Sequence, residues 1–166
     1  MPRKIPIHGW LVIFLLLGPV SATAQNAPTV AVAGFTFADS SGELADQAER
    51  HRLQLAEFES GVLDELKRHS QIRPVQLCPT ARCTAGDPGM EALVASAKRA
   101  NADYLIAGGL HKMSTLVGWA KLVVVDLTQA DRYCDRLVTY RGDTPEAWKR
   151  AAEFSARDIA SRCFPR

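Results

Sequence analysis

The sequence predicts an α/β fold: a two-layer sandwich of three helices on a mixed sheet of about five strands, in the order β-α-β-α-β-β-β-α. Three observations carry that expectation. β-rich runs bounded by turn residues stand near residue 30 and again between residues 102 and 140. Leu55, Phe58, Val62 and Leu66 recur at helical spacing. Asp143-Thr144-Pro145-Glu146 opens the last segment as a helix start.

Thr29 to Phe37 is the first strand, closed by the turn Asp39-Ser40-Ser41-Gly42. The first helix spans about 44–69, with Glu49, Arg50, Glu57 and Lys67 outside its apolar stripe. Ile72 to Leu77 is a short strand, and Pro74, which has no N–H to donate, puts it at a sheet edge or a strand entry. The Pro-, Gly- and Thr-containing segment 78–89 reads as loop. A second helix follows over about 90–101, burying Leu93, Val94 and Ala97.

Residues 102–113 are strand-like, and Gly108-Gly109 within them implies a bulge or a close backbone approach. With 119–127 and 133–140 they are expected to form an antiparallel meander. The last helix runs to about Ser161, with Asp143 as its cap and Trp148, Ala151, Ala152, Phe154 and Ile159 facing inward.

Before this domain stands an export segment. Arg3 and Lys4 precede an apolar run from Trp10 to Leu17, then Gly18-Pro19 and the small residues Ala22-Thr23-Ala24. That is the pattern of a cleavable signal peptide, with cleavage expected after Ala24. The run is shorter than the roughly 20 residues that span a bilayer, and no later segment is long enough, so no stable membrane span is expected in the mature chain. The expected domains are therefore the signal peptide, 1–24, and one α/β domain, 25–166, in the periplasm.

Cleavage removes Arg3 and Lys4 from the 20 basic residues and leaves 18 against 18 acidic. A neutral chain without a basic block has no electrostatic reason to bind nucleic acid. All four cysteines, Cys78, Cys83, Cys134 and Cys163, lie in the mature part, and an exported chain with an even count points to disulfides. Three pairings are open. Cys78–Cys83 with Cys134–Cys163 is preferred, and a single bridge with two free thiols is the alternative.

Signatures of catalysis are missing: there is no G-x-S-x-G, H-E-x-x-H, Walker loop or G-x-G-x-x-G. No cofactor and no metal is expected. His51 and His69 stand 18 residues apart on the first helix, about 27 Å at helical rise, and are expected to be solvated. His111, at a strand end beside Lys112, is the one histidine with a rival reading: with Cys78 and Cys83 it could bind a soft metal or activate a thiolate. The turn Asp39-Ser40-Ser41-Gly42-Glu43 could hold an anion, but its acidic residues oppose that, and helix capping by Asp39 or Ser40 explains them. Arg141-Gly142-Asp143 spells an adhesion tripeptide and is set aside because Asp143 caps a helix.

Alternation puts Trp119, Lys121 and Val123 on one side of their strand and Ala120, Leu122 and Val124 on the other. If helices cover one side only, the other presents Trp119 and Tyr133 to a partner. His111, Lys112, Trp119, Tyr133, Asp39 and Ser40 are thus the candidate binding residues.

Several runs carry a likeness to a known family: Val30 to Phe35 with Asp39 to Glu43, Phe58-Glu59, the Cys78/Cys83 loop, Ala102 to Gly108 with His111-Lys112-Met113-Ser114, and Arg141 to Trp148. On these the chain resembles the exported bacterial family known as domain of unknown function 2380, over nearly all of its mature length. More distantly it is similar to the TolB N-terminal domain and to CsgG-like envelope proteins. That resemblance implies an α/β sandwich serving protein–protein contacts. It brings no catalytic residues. The expectation is a periplasmic accessory domain, without enzymatic chemistry, whose partner is another periplasmic or envelope protein.

Overall fold

The computed structural model describes residues 27–129 and 132–164; the expected signal peptide lies outside them. The elements are β1 (Thr29–Asp39), α1 (Ala48–Lys67), β2 (Arg73–Gln76), α2 (Met90–Arg99), β3 (Tyr104–Lys112), β4 (Val117–Asp126), β5 (Tyr133–Arg141) and α3 (Pro145–Arg162). The sheet runs β2-β1-β3-β4-β5. β1 is parallel to β2 and β3, whereas β3, β4 and β5 form the expected antiparallel meander. Pro74 sits in the edge strand β2, where a missing N–H costs no ladder bond.

α1 and α3 cover one face of the sheet. Val30, Val32, Ile106, Leu122 and Val124 meet Leu55, Phe58 and Val62 of α1 and Trp148 and Ile159 of α3 in the main core. Fully burying a side chain of this size stabilises the fold by roughly 1.5–3 kcal/mol. At Gly61 an added Cβ would stand 3.2 Å from the Ala152 methyl, so two small residues let α1 and α3 approach closely. α2 lies on the opposite face, where Leu93 and Ala97 pack on Ala31, Ala33, Leu105 and Ala107. It covers one end of that face only.

One irregularity decides which way β1 points. Val32 pairs with Ile106 and Phe35 with Gly108, so β1 uses three steps where β3 uses two. The extra residue is a β-bulge at Ala33-Gly34. Because side chains alternate with period two, one inserted residue flips everything after it. Phe35 therefore rejoins Val30 and Val32 in the main core, and Asp39 follows on the same side. The Gly108-Gly109 pair opposite is the close approach expected from the sequence: added Cβ atoms would stand 2.2 Å from the Lys121 carbonyl oxygen and 2.2 Å from Thr36 Oγ1.

Four local expectations are corrected. The cap of α3 is Thr144, whose hydroxyl accepts from Ala147 N at 3.3 Å, with Pro145 next to it; the Asp143 side chain is used elsewhere. Phe154 is 53% exposed, because the inward stripe runs through Trp148, Ala151, Ala152, Ser155 and Ile159, and residue 154 falls outside it. Asp39 and Ser40 cap no helix, since β1 extends to Asp39 and α1 begins only at Ala48. His51 is not solvated; it is 4% exposed and continues the α1 stripe one turn before Leu55.

Both preferred disulfides are present, Cys78–Cys83 and Cys134–Cys163. The first closes the loop after β2. The second clips the C-terminal end of α3 to β5.

Candidate functional site

The ends of β1, β3 and β5 meet near the start of α1 in a polar cluster centred on Lys112. Ile106, Gly108, Leu110 and Lys112 share one face of β3 by alternation, so a lysine is delivered to the helix-covered side at the end of an apolar row. Its side chain is 3% exposed. The ammonium lies 2.8 Å from Asp143 Oδ2, 2.7 Å from Gln47 Oε1 and 3.8 Å from Asp39 Oδ2, and it also pairs with Glu43. Burial works against the charge, but the Asp143 and Glu43 contacts outweigh it and raise the lysine above its ordinary range.

Asp143 is the other hub. Its Oδ2 receives Lys112, Arg50 at 2.7 Å and His51 Nε2 at 3.0 Å, while Oδ1 accepts from Trp148 Nε1 at 3.0 Å. Burial pushes the carboxyl up, yet the hydrogen bonds from Lys112 and His51 overcome this and hold it below the usual carboxylate range. The histidine is sandwiched between acids, with Nδ1 3.7 Å from Asp39 Oδ2, and stacks near Phe37 and Trp148. Asp143 is therefore consumed inside the fold, with its side chain 11% exposed, and the Arg141-Gly142-Asp143 tripeptide offers no free carboxylate.

Tyr140 packs against Trp148 beside this cluster, its ring filling the space left by Gly118. Its buried hydroxyl has no partner among the described residues. Burial first, and the Asp143 charge second, push that hydroxyl well above its ordinary range. It stays a neutral phenol.

Of the candidate binding residues, the structure brings five together in two groups. Asp39 and Lys112 meet inside the cluster, and Ser40 Oγ lies 2.7 Å from His111 Nε2 on the opposite face of the sheet. Lys112 is thus buried rather than presented, a correction to its place on a binding surface. His111 packs edge-on against Trp119, with ring centroids 5.2 Å apart. Tyr133 is on the same face but pairs with Val125, six residues along β4 from Trp119 and about 20 Å away at strand rise.

The rival centre of His111 with a reduced Cys78/Cys83 pair does not form. Both sulfurs are tied in a disulfide, so neither offers a thiolate. Among the described residues no group of three or more His, Cys, Asp or Glu side chains is placed to hold a metal. Among Asp39, Glu43 and Asp143, the Lys112 ammonium occupies the position a cation would need.

Sequence reasoning missed Gln47, Glu43 and Asp143 as partners of Lys112, and His51 as a partner of Asp143. His51 had a usable signal, lying four residues before Leu55 on the same helical stripe. Asp143 had none, because its charged partners Lys112 and Arg50 stand 31 and 93 residues away in the chain.

The family model described as "Protein of unknown function (DUF2380)" matches residues 28–159, from the start of β1 to the last buried turn of α3. The chain belongs to this family. All the elements named above fall within or across that match, so the Lys112 cluster is part of the DUF2380 domain itself. No curated protein matches this DUF2380 chain.

Several solved structures are similar to it. PelC from Paraburkholderia phytofirmans, a dodecamer, is 13% identical with a TM-score of 0.52, covering 81% of this chain and 86% of its own. The protein CT253 from Chlamydia trachomatis is 12% identical with a TM-score of 0.47 over 82% of this chain and 95% of that one. The LpoB C-terminal domain from Salmonella enterica is 10% identical with a TM-score of 0.40 over 70% and 86%. At 13% identity the likeness to PelC is one of fold alone and leaves the activity of the DUF2380 chain open. No described helix is long and apolar enough to cross a membrane.

Proposed function

We propose that this chain is an exported, periplasmic accessory domain of the cell envelope that binds another envelope protein and carries out no chemistry of its own. The observation that carries the reading is the uncovered half of the sheet. α2 shields only the end of that face near Leu105 and Ala107. Beyond it, β4 and β5 present Leu137, 61% exposed, with Trp119 and His111 alongside, whereas Tyr133, 69% exposed, stands at the other end of β5 in the row of Leu105. Leu137 stands opposite Lys121 in the ladder, so an apolar centre is framed by Lys121 and Asp135, which pair at 3.3 Å. An apolar patch with a polar frame is the usual form of a protein contact site.

Supporting lines come from elsewhere in the chain. Two disulfides suit an oxidising compartment, and the leader with cleavage after Ala24 supplies the route. The ionisable groups of the Lys112 cluster are spent on one another, which suits a structural keystone. A second reading, assembly with further copies of itself, is favoured by the fold shared with the PelC dodecamer.

The test is crosslinking in envelope extracts with the mature domain as bait, alongside Leu137→Asp and Trp119→Ala. One envelope protein should crosslink to the wild type and be lost from Leu137→Asp at unchanged melting temperature. Crosslinking indifferent to both substitutions would remove this face from the reading. A sedimentation coefficient well above that of a monomer, abolished by Leu137→Asp, would select self-assembly.

A further inference from the structure

We propose that the outer edge of β1 from Phe35 to Asp39 is a docking slot for an extended segment of a partner polypeptide, which adds there as one more strand. The inference rests on the reading of the chain as a protein-binding domain but uses a different surface from the β4–β5 face.

β1 is paired with β3 on its inner edge all the way from Val30 to Asp39. Its outer edge is different. β2 covers only Thr29 to Val32, after which Leu77 N donates to Val32 O at 2.9 Å and Gly34 N to Cys83 O at 2.9 Å. The loop then turns away, Thr84 N donating to Asp87 O at 2.7 Å. At Phe35, side chains take over. Glu59 Oε1 accepts the Phe35 N–H at 2.7 Å, and Arg82 Nη2 donates to the Phe35 carbonyl while pairing with Glu59 at 2.7 Å. A carboxylate and a guanidinium thus make the two bonds a neighbouring strand would make.

Two residues further on, that substitution stops. Ser40 N donates inward to Lys112 O, so the even-numbered residues here face β3 and Phe37 faces outward as Phe35 does. The Phe37 N–H and C=O meet no partner among the described residues. They open on a groove of about 850 Å³. One wall is α1, at Ala48 and Leu55; the other is the loop at Gly86 and Asp87. Because its walls come from opposite faces of the sheet, the groove lies at the sheet's edge, where a strand adds.

The lining states the kind of segment that fits. On the α1 side the apolar Phe35, Phe37, Ala48 and Leu55 stand beside the polar His51 and Arg52, while Gly86 and Asp87 make the loop wall small and polar. A strand shows alternate side chains to the two walls. The occupant is therefore an extended stretch alternating apolar with small or polar residues, held by main-chain hydrogen bonds in the manner of strand addition.

The mature, disulfide-bonded protein is panned against phage-displayed random peptides, and those recovered are synthesised. Hydrogen exchange then follows individual amides with and without peptide. Recovered peptides should alternate as described, slow exchange at Phe37 and Asp39, and bind roughly tenfold or more weakly to Ala48→Trp, which fills the groove from the exposed first residue of α1. Thermal unfolding of that variant should match the wild type.

Peptides that bind Ala48→Trp equally well, or leave the Phe37 amide unprotected, overturn the proposal, as does failure to recover any. Slow exchange at Phe37 without peptide, relieved by dilution or by Ala48→Trp, assigns the edge to a second copy and overturns it too. If panning fails while crosslinking through Leu137 persists, the edge proposal falls and the broader reading stands.

Discussion

Lys112 Nζ lies 2.8 Å from Asp143 Oδ2, joining the end of β3 to the turn that starts α3 across 31 residues of sequence. The contact is nearly sealed from solvent, with side chains 3% and 11% exposed, so removing one partner strands the other. Lys112→Met should lower the unfolding free energy by about 3–5 kcal/mol, measured by urea denaturation. The double variant Lys112→Met/Asp143→Asn should lose less than the sum of the single changes. A loss near zero for Lys112→Met would show that the cluster does not hold the domain together.

The same contact sets the response to acid and base. Asp143 is depressed below its ordinary value of 3.8, so its contribution is full above that pH and lost as pH falls through the lower, folded value. Lys112 is raised above 10.5, so its contribution is full below that pH and lost as pH rises through the higher, folded value. The contribution of this pair to the unfolding free energy should therefore be level between these limits, with a fall below pH 3.8 that is shallower in Lys112→Met. Denaturation across a pH series reads both effects.

Neighbouring glycines should differ in how they can be rescued. An alanine at 108 would drive its methyl into the Lys121 carbonyl oxygen, a backbone atom with little room to yield. Gly108→Ala should cost roughly 1–3 kcal/mol. At Gly109 the obstacle is the Thr36 hydroxyl, so Thr36→Ala should restore much of what Gly109→Ala loses. Thermal melts of the two singles and the double variant decide this.

The two disulfides should contribute unequally. Cys134–Cys163 closes a 29-residue separation and Cys78–Cys83 one of five. Loop entropy gives on the order of 3–4 kcal/mol for the longer and about 2 kcal/mol for the shorter. Cys134→Ala/Cys163→Ala should therefore melt lower than Cys78→Ala/Cys83→Ala.

Local signals exposed most of the architecture. The stripe of Leu55, Phe58, Val62 and Leu66, the Pro74 edge and the alternation through Ala120, Leu122 and Val124 each act within a few residues, and each element appears where they place it. Phe154 shows the limit. Hydrophobicity without helical phase put it inward, whereas the phase set by Trp148 and Ala151 puts it out. For the candidate site, His111, Trp119, Asp39 and Ser40 could be named from the chain but not their partners. Lys112 reads as a surface residue until β1, the loop before α1 and the turn before α3 converge on it with carboxylates. Such convergence is a property of the folded topology, and Asp143 looked like an ordinary helix cap because Thr144 beside it had the same chemistry.

The bulge at Ala33-Gly34 makes β1 a strand with two reading frames. Deleting a single residue there would act as a frameshift written in space. Every downstream amino acid would be unchanged, yet Phe35 and Phe37 would turn away from the helices and Asp39 would desert its lysine. Insertions elsewhere in surface loops leave such phase intact, so the domain's tolerance to length changes should fall sharply at this one place.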